Sequence, residues 1–195
     1  MIGFSIAAPV GPIGVLCIRR TLAEGRLSGL VSGLGAASAD SIYGCIAAYG
    51  LTFISIFLVK QQVWLGLIGG LFLCYLGLKT FFVKPAEQTV STHEKSMFRA
   101  FASTFFLTLT NPMTILSFAA IFAGLGLNES NGDYLSAIAL VLGVFLGSAL
   151  WWFILSFGVS LFRDKFNFRG LSWVNRISGI LIMFFGILAL FRTIL

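Results

Sequence analysis

The sequence predicts an all-α membrane protein, with six transmembrane helices arranged as two three-helix repeats of opposite orientation. Three observations predict it: an apolar content too high for a water-soluble domain, six apolar runs separated by short basic clusters, and motifs that recur at nearly constant spacing in the two halves.

Hydrophobic residues make up 58% of the 195 and charged residues only 10%, with a mean hydropathy of +0.98. A soluble domain carries about 25% charged residues and could not hide this much apolar surface. Glycine (22) and phenylalanine (21) are abundant, as expected where helices pack closely in lipid. The net charge of +6 does not indicate nucleic-acid binding, because the cations flank apolar runs, where membrane topology accounts for them. Cys17, Cys45 and Cys74 form no CxxC pair, sit in apolar stretches and read as small packing residues. No basic segment precedes the first apolar run, which therefore reads as part of the fold and not as a cleavable leader.

The six spans are expected at Ile2 to Ile18, Leu27 to Leu51, Val63 to Val83, Phe98 to Leu127, Tyr134 to Phe162 and Leu171 to Ile194. A helix crosses the hydrocarbon core in about 20 residues. The first span falls short of that, so helix one looks truncated at its start. The chain is expected to form a single membrane domain, with repeat one at 1–83, a linker at 84–97 and repeat two at 98–195. His93, the sole histidine, falls in the linker and reads as a solvated loop residue.

Orientation follows from the basic residues. Arg19, Arg20 and Arg26 follow span one; Lys79, Lys84, Lys95 and Arg99 follow span three; Arg163, Lys165, Arg169 and Arg176 follow span five. Only Lys60 and Arg192 of the 13 Lys and Arg lie on the other side. The three basic loops are expected in the cytoplasm and both termini outside. The loop Asn128 to Asp133 carries two acids and no base, which suits the outer face.

The halves repeat. VGPIGVLC (Val10 to Cys17) aligns with TNPMTILS (Thr110 to Ser117), GAASADSIYGCIAAYG (Gly35 to Gly50) with GVFLGSALWWFILSFG (Gly143 to Gly158), and WLGLIGGLFLCYLG (Trp64 to Gly77) with WVNRISGILIMFFG (Trp173 to Gly186). Each unit has an odd number of spans, so the second must enter the membrane from the opposite side. Such inverted repeats are common in secondary transporters, whose sites lie near the midplane where interrupted helices meet. Interruptions are expected at Pro9, Gly11 and Pro12 in span one and at Asn111 and Pro112 in span four. Proline lacks an N–H and clashes with the preceding turn, so carbonyls are freed that must face protein or a watery cavity.

Asp40 is the one acid inside a predicted span. Placing a carboxylate near mid-membrane costs roughly 2.5–3.5 kcal/mol or more, so it is expected to hold a substrate ammonium group or carry a coupling proton. A protonated Asp bonded to Ser38, Ser41 or a tyrosine is the structural alternative. Tyr43 follows three residues later on the same helix face. Ser148 occupies the matching position of repeat two. The glycines of Gly29 to Ala39 fit a dinucleotide fingerprint poorly, with no strand before them, and read as close helix packing. Tyr49, Tyr75, Trp151 and Trp152 also read as packing or interface residues.

APVGP (Ala8 to Pro12), the RR…EGR segment (Arg19 to Arg26), GLGAASADSIYG (Gly33 to Gly44), GGLFLCYLGLK (Gly70 to Lys79) and NPM (Asn111 to Met113) together resemble the lysine exporter and homoserine/threonine exporter family of translocators, over essentially the whole chain. The resemblance implies a bacterial inner-membrane exporter of amino acids or related small metabolites, driven by proton exchange, without cofactor, metal or catalytic residues. By motif match, Pro9, Gly11, Pro12, Asp40, Asn111 and Pro112 inherit the substrate pathway. The chain departs from the family in having few residues before the first proline motif, and in reading PVGP where PGP is commoner. Homo-oligomerisation is left open.

Two other readings share the architecture. A membrane thiol–disulfide electron carrier needs a redox cysteine in each broken helix, but the position matching Cys17 is Ser117. A metal-ion exporter needs several intramembrane carboxylates, histidines or thiolates, and Asp40 stands alone.

Overall fold

Without water as a hydrogen-bond partner, a chain in hydrocarbon must satisfy its backbone internally, and helices do so within one segment. The computed structural model describes residues 3, 7, 11–48, 57, 60–82, 93–111, 114–118, 134–165 and 168–194, and all regular structure among them is helical. The main helices are α1 (Pro12–Glu24), α2 (Arg26–Ala48), α3 (Gln62–Phe82), α4 (His93–Leu109), α5 (Tyr134–Ser160) and α6 (Phe168–Ile194). Residues 114–118 form a further helical piece, and a 3-10 turn, Arg163–Lys165, follows α5.

Among the described residues, three stretches are long and apolar enough to cross a membrane: Val63–Phe82 in α3, Ala137–Ser160 in α5 and Arg169–Arg192 in α6. The 23-residue α2 has the length, but small residues, Arg26 and Asp40 lower its hydropathy. With 13 and 17 residues, α1 and α4 are too short to cross alone, and each abuts a proline motif. Helices α3, α5 and α6 match their expected spans to within three residues at each end.

Two expectations are corrected. Arg19 and Arg20, read as solvated loop residues, are helical and buried, because α1 runs on to Glu24 before Gly25 ends it with a φ of 106°. His93, also read as a loop residue, is the first residue of α4, which starts inside the stretch taken as linker.

The helices pair in a pattern that follows the sequence repeat. Helix α3 packs along α6, and α2 packs on both α4 and α5. Helix α1 rests on α2 and touches α5 and α6. The α3–α6 contact is reciprocal. A Cβ on Gly77 would lie 2.9 Å from the Gly179 carbonyl oxygen, and one on Gly179 would lie 2.8 Å from that of Gly77. Gly70 and Gly186 face each other in the same way, at 3.2 and 3.0 Å. Because Gly70 meets Gly186 while Gly77 meets Gly179, the two helices run antiparallel. Only glycine lets the backbones approach this closely. The outward faces match as well: Trp64, Ile68, Leu71, Tyr75, Leu78 and Phe82 of α3 are exposed, and so are their repeat mates Trp173, Ile177, Ile180, Phe184, Ile187 and Phe191 of α6. Exposed apolar stripes of this kind suit contact with lipid.

Helices α2 and α5 are antiparallel too. Gly29 approaches Ser156, Gly33 approaches Trp152, Asp40 bonds Ser148, and Gly44 approaches Val144. Small residues on α2 let α5 come close enough for Asp40 and Ser148, which are repeat mates, to touch.

Gly77→Ala and Gly179→Ala should each destabilise the detergent-solubilised protein by about 1–3 kcal/mol, since the added methyl meets backbone that cannot move aside. Gly143→Ala, with open space around its Cβ position, should leave the melting temperature unchanged or raise it.

Candidate functional site

The two proline motifs each open a helical piece, whose first N–H groups bond the carbonyls of Gly11 and Asn111. At the first, Gly11 is extended (φ −115°, ψ −166°) and caps α1, with Pro12 in the first turn. The Gly11 carbonyl accepts the Val15 N–H at 3.0 Å. At the second, Asn111 does the same: its carbonyl accepts the N–H groups of Thr114 and Ile115 at 3.0 and 3.2 Å. Proline suits a first helical turn because its missing N–H has no partner there. Ahead of the second break α4 tightens, with the Asn111 N–H reaching the Thr108 carbonyl at 3.3 Å. Pro9 and Pro112 lie outside the described residues. Among the described residues, none approaches the Cβ position of Gly11 within 4 Å.

Tyr43 bridges the second break. Its hydroxyl donates to the Leu109 carbonyl at 2.6 Å, on the α4 side. Its ring tilts against Phe118 on the other side, with centroids 5.3 Å apart. Tyr43, Ile115, Phe118 and Val144 form a small buried cluster. One α2 residue thus satisfies a carbonyl beside the break and clamps both halves of the interrupted span.

Asp40, one turn earlier on α2, is 4% exposed. The buried Ser148 hydroxyl donates to its Oδ2 at 2.7 Å, and the Trp152 indole N–H donates to the Ser148 oxygen at 3.2 Å. The result is a directed chain from Trp152 through Ser148 to the carboxylate. The only ion pair among the described residues lies elsewhere, so the groups bonded to Asp40 there are neutral. A carboxylate held by neutral donors in a dry bundle attracts a proton or a solute cation strongly.

A second polar centre lies near the end of α1. Arg19 and Arg20 are each 8% exposed. Arg19 Nε donates to Asn175 Oδ1 on α6 at 2.9 Å, and its Nη1 donates to Glu24 Oε1 at 3.1 Å. Arg20 donates to Ser32 of α2 at 2.8 Å, and on α4 to the Ala100 carbonyl at 2.9 Å and to Ser103 at 2.7 Å. Thr104 adds a bond from α4 to the Ser32 carbonyl at 2.7 Å. Two guanidinium groups thereby tie α1 to α2, α4 and α6. Nearby, the fully buried Ser156 hydroxyl is the one buried side-chain polar atom without a hydrogen-bond partner among the described residues.

Of the residues singled out by sequence, Asp40 and Tyr43 share one face of α2, and Tyr43 joins them to the second break. Gly11 and Pro12 form the first break. The arginine centre was missed. Its sequence signals were two adjacent cations at the end of an apolar run, which membrane topology explains equally well, and the RR…EGR segment that carries part of the family resemblance.

Together these features define a helical membrane protein whose interrupted spans enclose buried polar groups. Residues 4–193 match the family model described as LysE type translocator, and the chain belongs to that family. It is 28% identical over 190 residues to YcgF of Bacillus subtilis (strain 168), which is provisionally named an amino acid efflux protein, across 95% of this chain and 90% of that one. It is 25% identical to the uncharacterized membrane protein YrhP of the same organism, over 89% of this chain and 87% of the relative. With the uncharacterized membrane protein YahN of Escherichia coli (strain K12) it shares 27% identity, over 74% of this chain and 65% of the relative. No solved structure gave a significant match.

Tyr43→Phe should keep the Phe118 contact but leave the Leu109 carbonyl without its donor. A loss of about 1–2 kcal/mol is expected in detergent unfolding experiments. Trp152→Phe, which leaves the Ser148–Asp40 bond in place, should cost less than Tyr43→Phe.

Proposed function

We propose that this protein is a secondary exporter, not an enzyme. In this reading it moves amino acids or related small metabolites out across the bacterial inner membrane, in exchange for protons. The chain crosses six times as two inverted three-helix repeats, with both termini outside. Membership of a translocator family and likeness to YcgF support export in general. Proton coupling, the substrate class and the inverted arrangement rest on the site.

One observation carries the reading: repeat mates Asp40 and Ser148 meet and bond in the core. Equivalent residues touch when a two-fold axis passes between them. The antiparallel α2–α5 and α3–α6 contacts and the reciprocal glycines support the same axis. An axis of this kind in the membrane plane relates inverted repeats, and alternating access then consists of each half taking the other's conformation in turn. Asp40 would take a proton or the substrate's ammonium group and release its hold on Ser148 as it does so. The breaks at Pro9, Gly11 and Pro12 and at Asn111 and Pro112, with Tyr43 beside the second, would line the path and supply backbone carbonyls and helix ends to a zwitterion.

Cells loaded with dipeptides and followed for amino-acid release, with and without the protein, test the reading. Faster release of at least one amino acid is expected, and unchanged release across a full panel would sink it. Asp40→Asn keeps an acceptor for Ser148, so its stability should stay within about 1 kcal/mol of wild type while transport falls at least about tenfold. Normal transport at equal membrane abundance would remove the acid from the mechanism. An epitope placed between Asn128 and Asp133 should be reached from outside the cell; cytoplasmic labelling would overturn the inverted arrangement.

A further inference from the structure

Arg19 and Arg20 are neighbours with different fates. Arg20 donates its hydrogen bonds to neutral oxygens fixed in the bundle, on Ser32, Ala100 and Ser103. That side chain is a structural tie between α1, α2 and α4. Arg19 instead divides its donors between Asn175 of α6 and a carboxylate, Glu24 Oε1, at 3.1 Å. The Glu24 side chain is 34% exposed, against 10% for that of Arg19, so the buried cation is matched by a solvent-reachable anion. Glu24 also has a second partner, since Ser28 Oγ donates to its Oε2 at 2.7 Å. If Glu24 leaves Arg19, it is therefore not stranded.

Two guanidinium groups against one paired carboxylate leave this buried end of the bundle with excess positive charge. Such a focus draws anions from solution. The guanidinium fork matches a carboxylate better than any other common group. A free α-carboxylate can offer Arg19 the kind of oxygen that Glu24 Oε1 offers.

We propose that Arg19 is the loading residue of the exporter: it recognises the carboxylate of the outgoing amino acid at the cytoplasmic mouth, and Glu24 holds its place between cycles. This rests on the export reading above. The site is distinct from Asp40. Ser28, which shares the Glu24 carboxylate, precedes Asp40 on α2 by about three turns, or about 18 Å, farther than one amino acid spans. The positions of repeat two that align with Arg19 and Arg20 are Ala119 and Ala120. The outer end therefore has no matching cations, and loading is one-sided as export requires. Because Arg19 also bonds Asn175, a carboxylate that captures it acts on the contact between α1 and α6.

The test uses everted membrane vesicles, whose outer surface is the cytoplasmic face, and the full-length protein. The probes are the labelled amino acids that wild type moves, with the matching amino-acid amides, which lack the anionic carboxylate. Arg19→Gln should raise KM for the acids by about tenfold or more while changing KM for the amides by less than about twofold. Equal effects on acid and amide would mean a purely structural role and overturn the proposal. Glu24→Gln removes the internal competitor and should lower KM for the acids by about threefold or more; an unchanged or raised KM would overturn it. If Arg19→Gln does not reach the membrane, Glu24→Gln decides alone. Wild type that moves none of the amino acids overturns the export reading and this proposal with it. Wild type that moves them, with variants that discriminate as it does, overturns this proposal alone.

Discussion

A polar group inside hydrocarbon has no solvent to fall back on, and the arrangement of this molecule follows from where each such group finds its partner. Asp40 is the sharpest case. The carboxylate sits on a helix whose neighbouring positions are mostly glycine, alanine and serine. Those small residues let α5 approach until Ser148 reaches Oδ2, and Trp152 in turn supports Ser148. Close packing and polar satisfaction are here one arrangement: larger side chains on α2 would hold α5 away and strand the acid. The same constraint places Tyr43, whose hydroxyl serves a carbonyl just ahead of the Asn111 break.

The glycine-locked pair α3–α6 works differently. It contains no buried acid among the described residues and joins close backbone approach to apolar side-chain contact. Its remaining surface is a continuous apolar stripe on both helices. The buried acid and both buried arginines lie on the other helices, α1 and α2. Arg19 and Asn175 form the side-chain hydrogen bond that crosses from α1 to α6. A contact at that place can report what happens at α1 to the α3–α6 pair.

Much of this was legible in the sequence because lipid imposes strong patterns. The apolar runs located α3, α5 and α6 closely. The bond between Asp40 and Ser148 was not anticipated: Ser38 and Ser41, offered as its hydroxyl partners, donate to backbone carbonyls of their own helix, and Tyr43 donates to Leu109. The end of α1 was not legible. Hydropathy ends a span at the first charges, but Arg19 and Arg20 continue the helix because other helices supply them with Ser32, Ala100, Ser103 and Asn175. Those partners lie far away in the chain, and no local pattern announces them. The start of α4 at His93 was missed for a related reason: a polar first turn looks like a loop when only composition is read.

Among the described residues the two halves share some backbone contacts and differ in chemistry. Gly11 and Asn111 cap equivalent helices with equivalent bonds, and Gly70, Gly77, Gly179 and Gly186 interlock reciprocally. Yet Asp40 faces Ser148, and Arg19 and Arg20 align with Ala119 and Ala120. Under the proposed inverted arrangement, symmetric backbones give the two alternate states similar shapes, so that exchange between them needs no new fold. The asymmetric side chains then make those states unequal in energy. The state in which α1 is tied by its guanidinium groups carries bonds that its mirror state cannot form, because alanine has no donors to offer. A solute carboxylate that competes for Arg19 weakens the favoured state, and a proton or ammonium at Asp40 weakens the contact on the two-fold axis. Under that proposal the side chains make the two states unequal, while the proton exchange sets the direction of net transport.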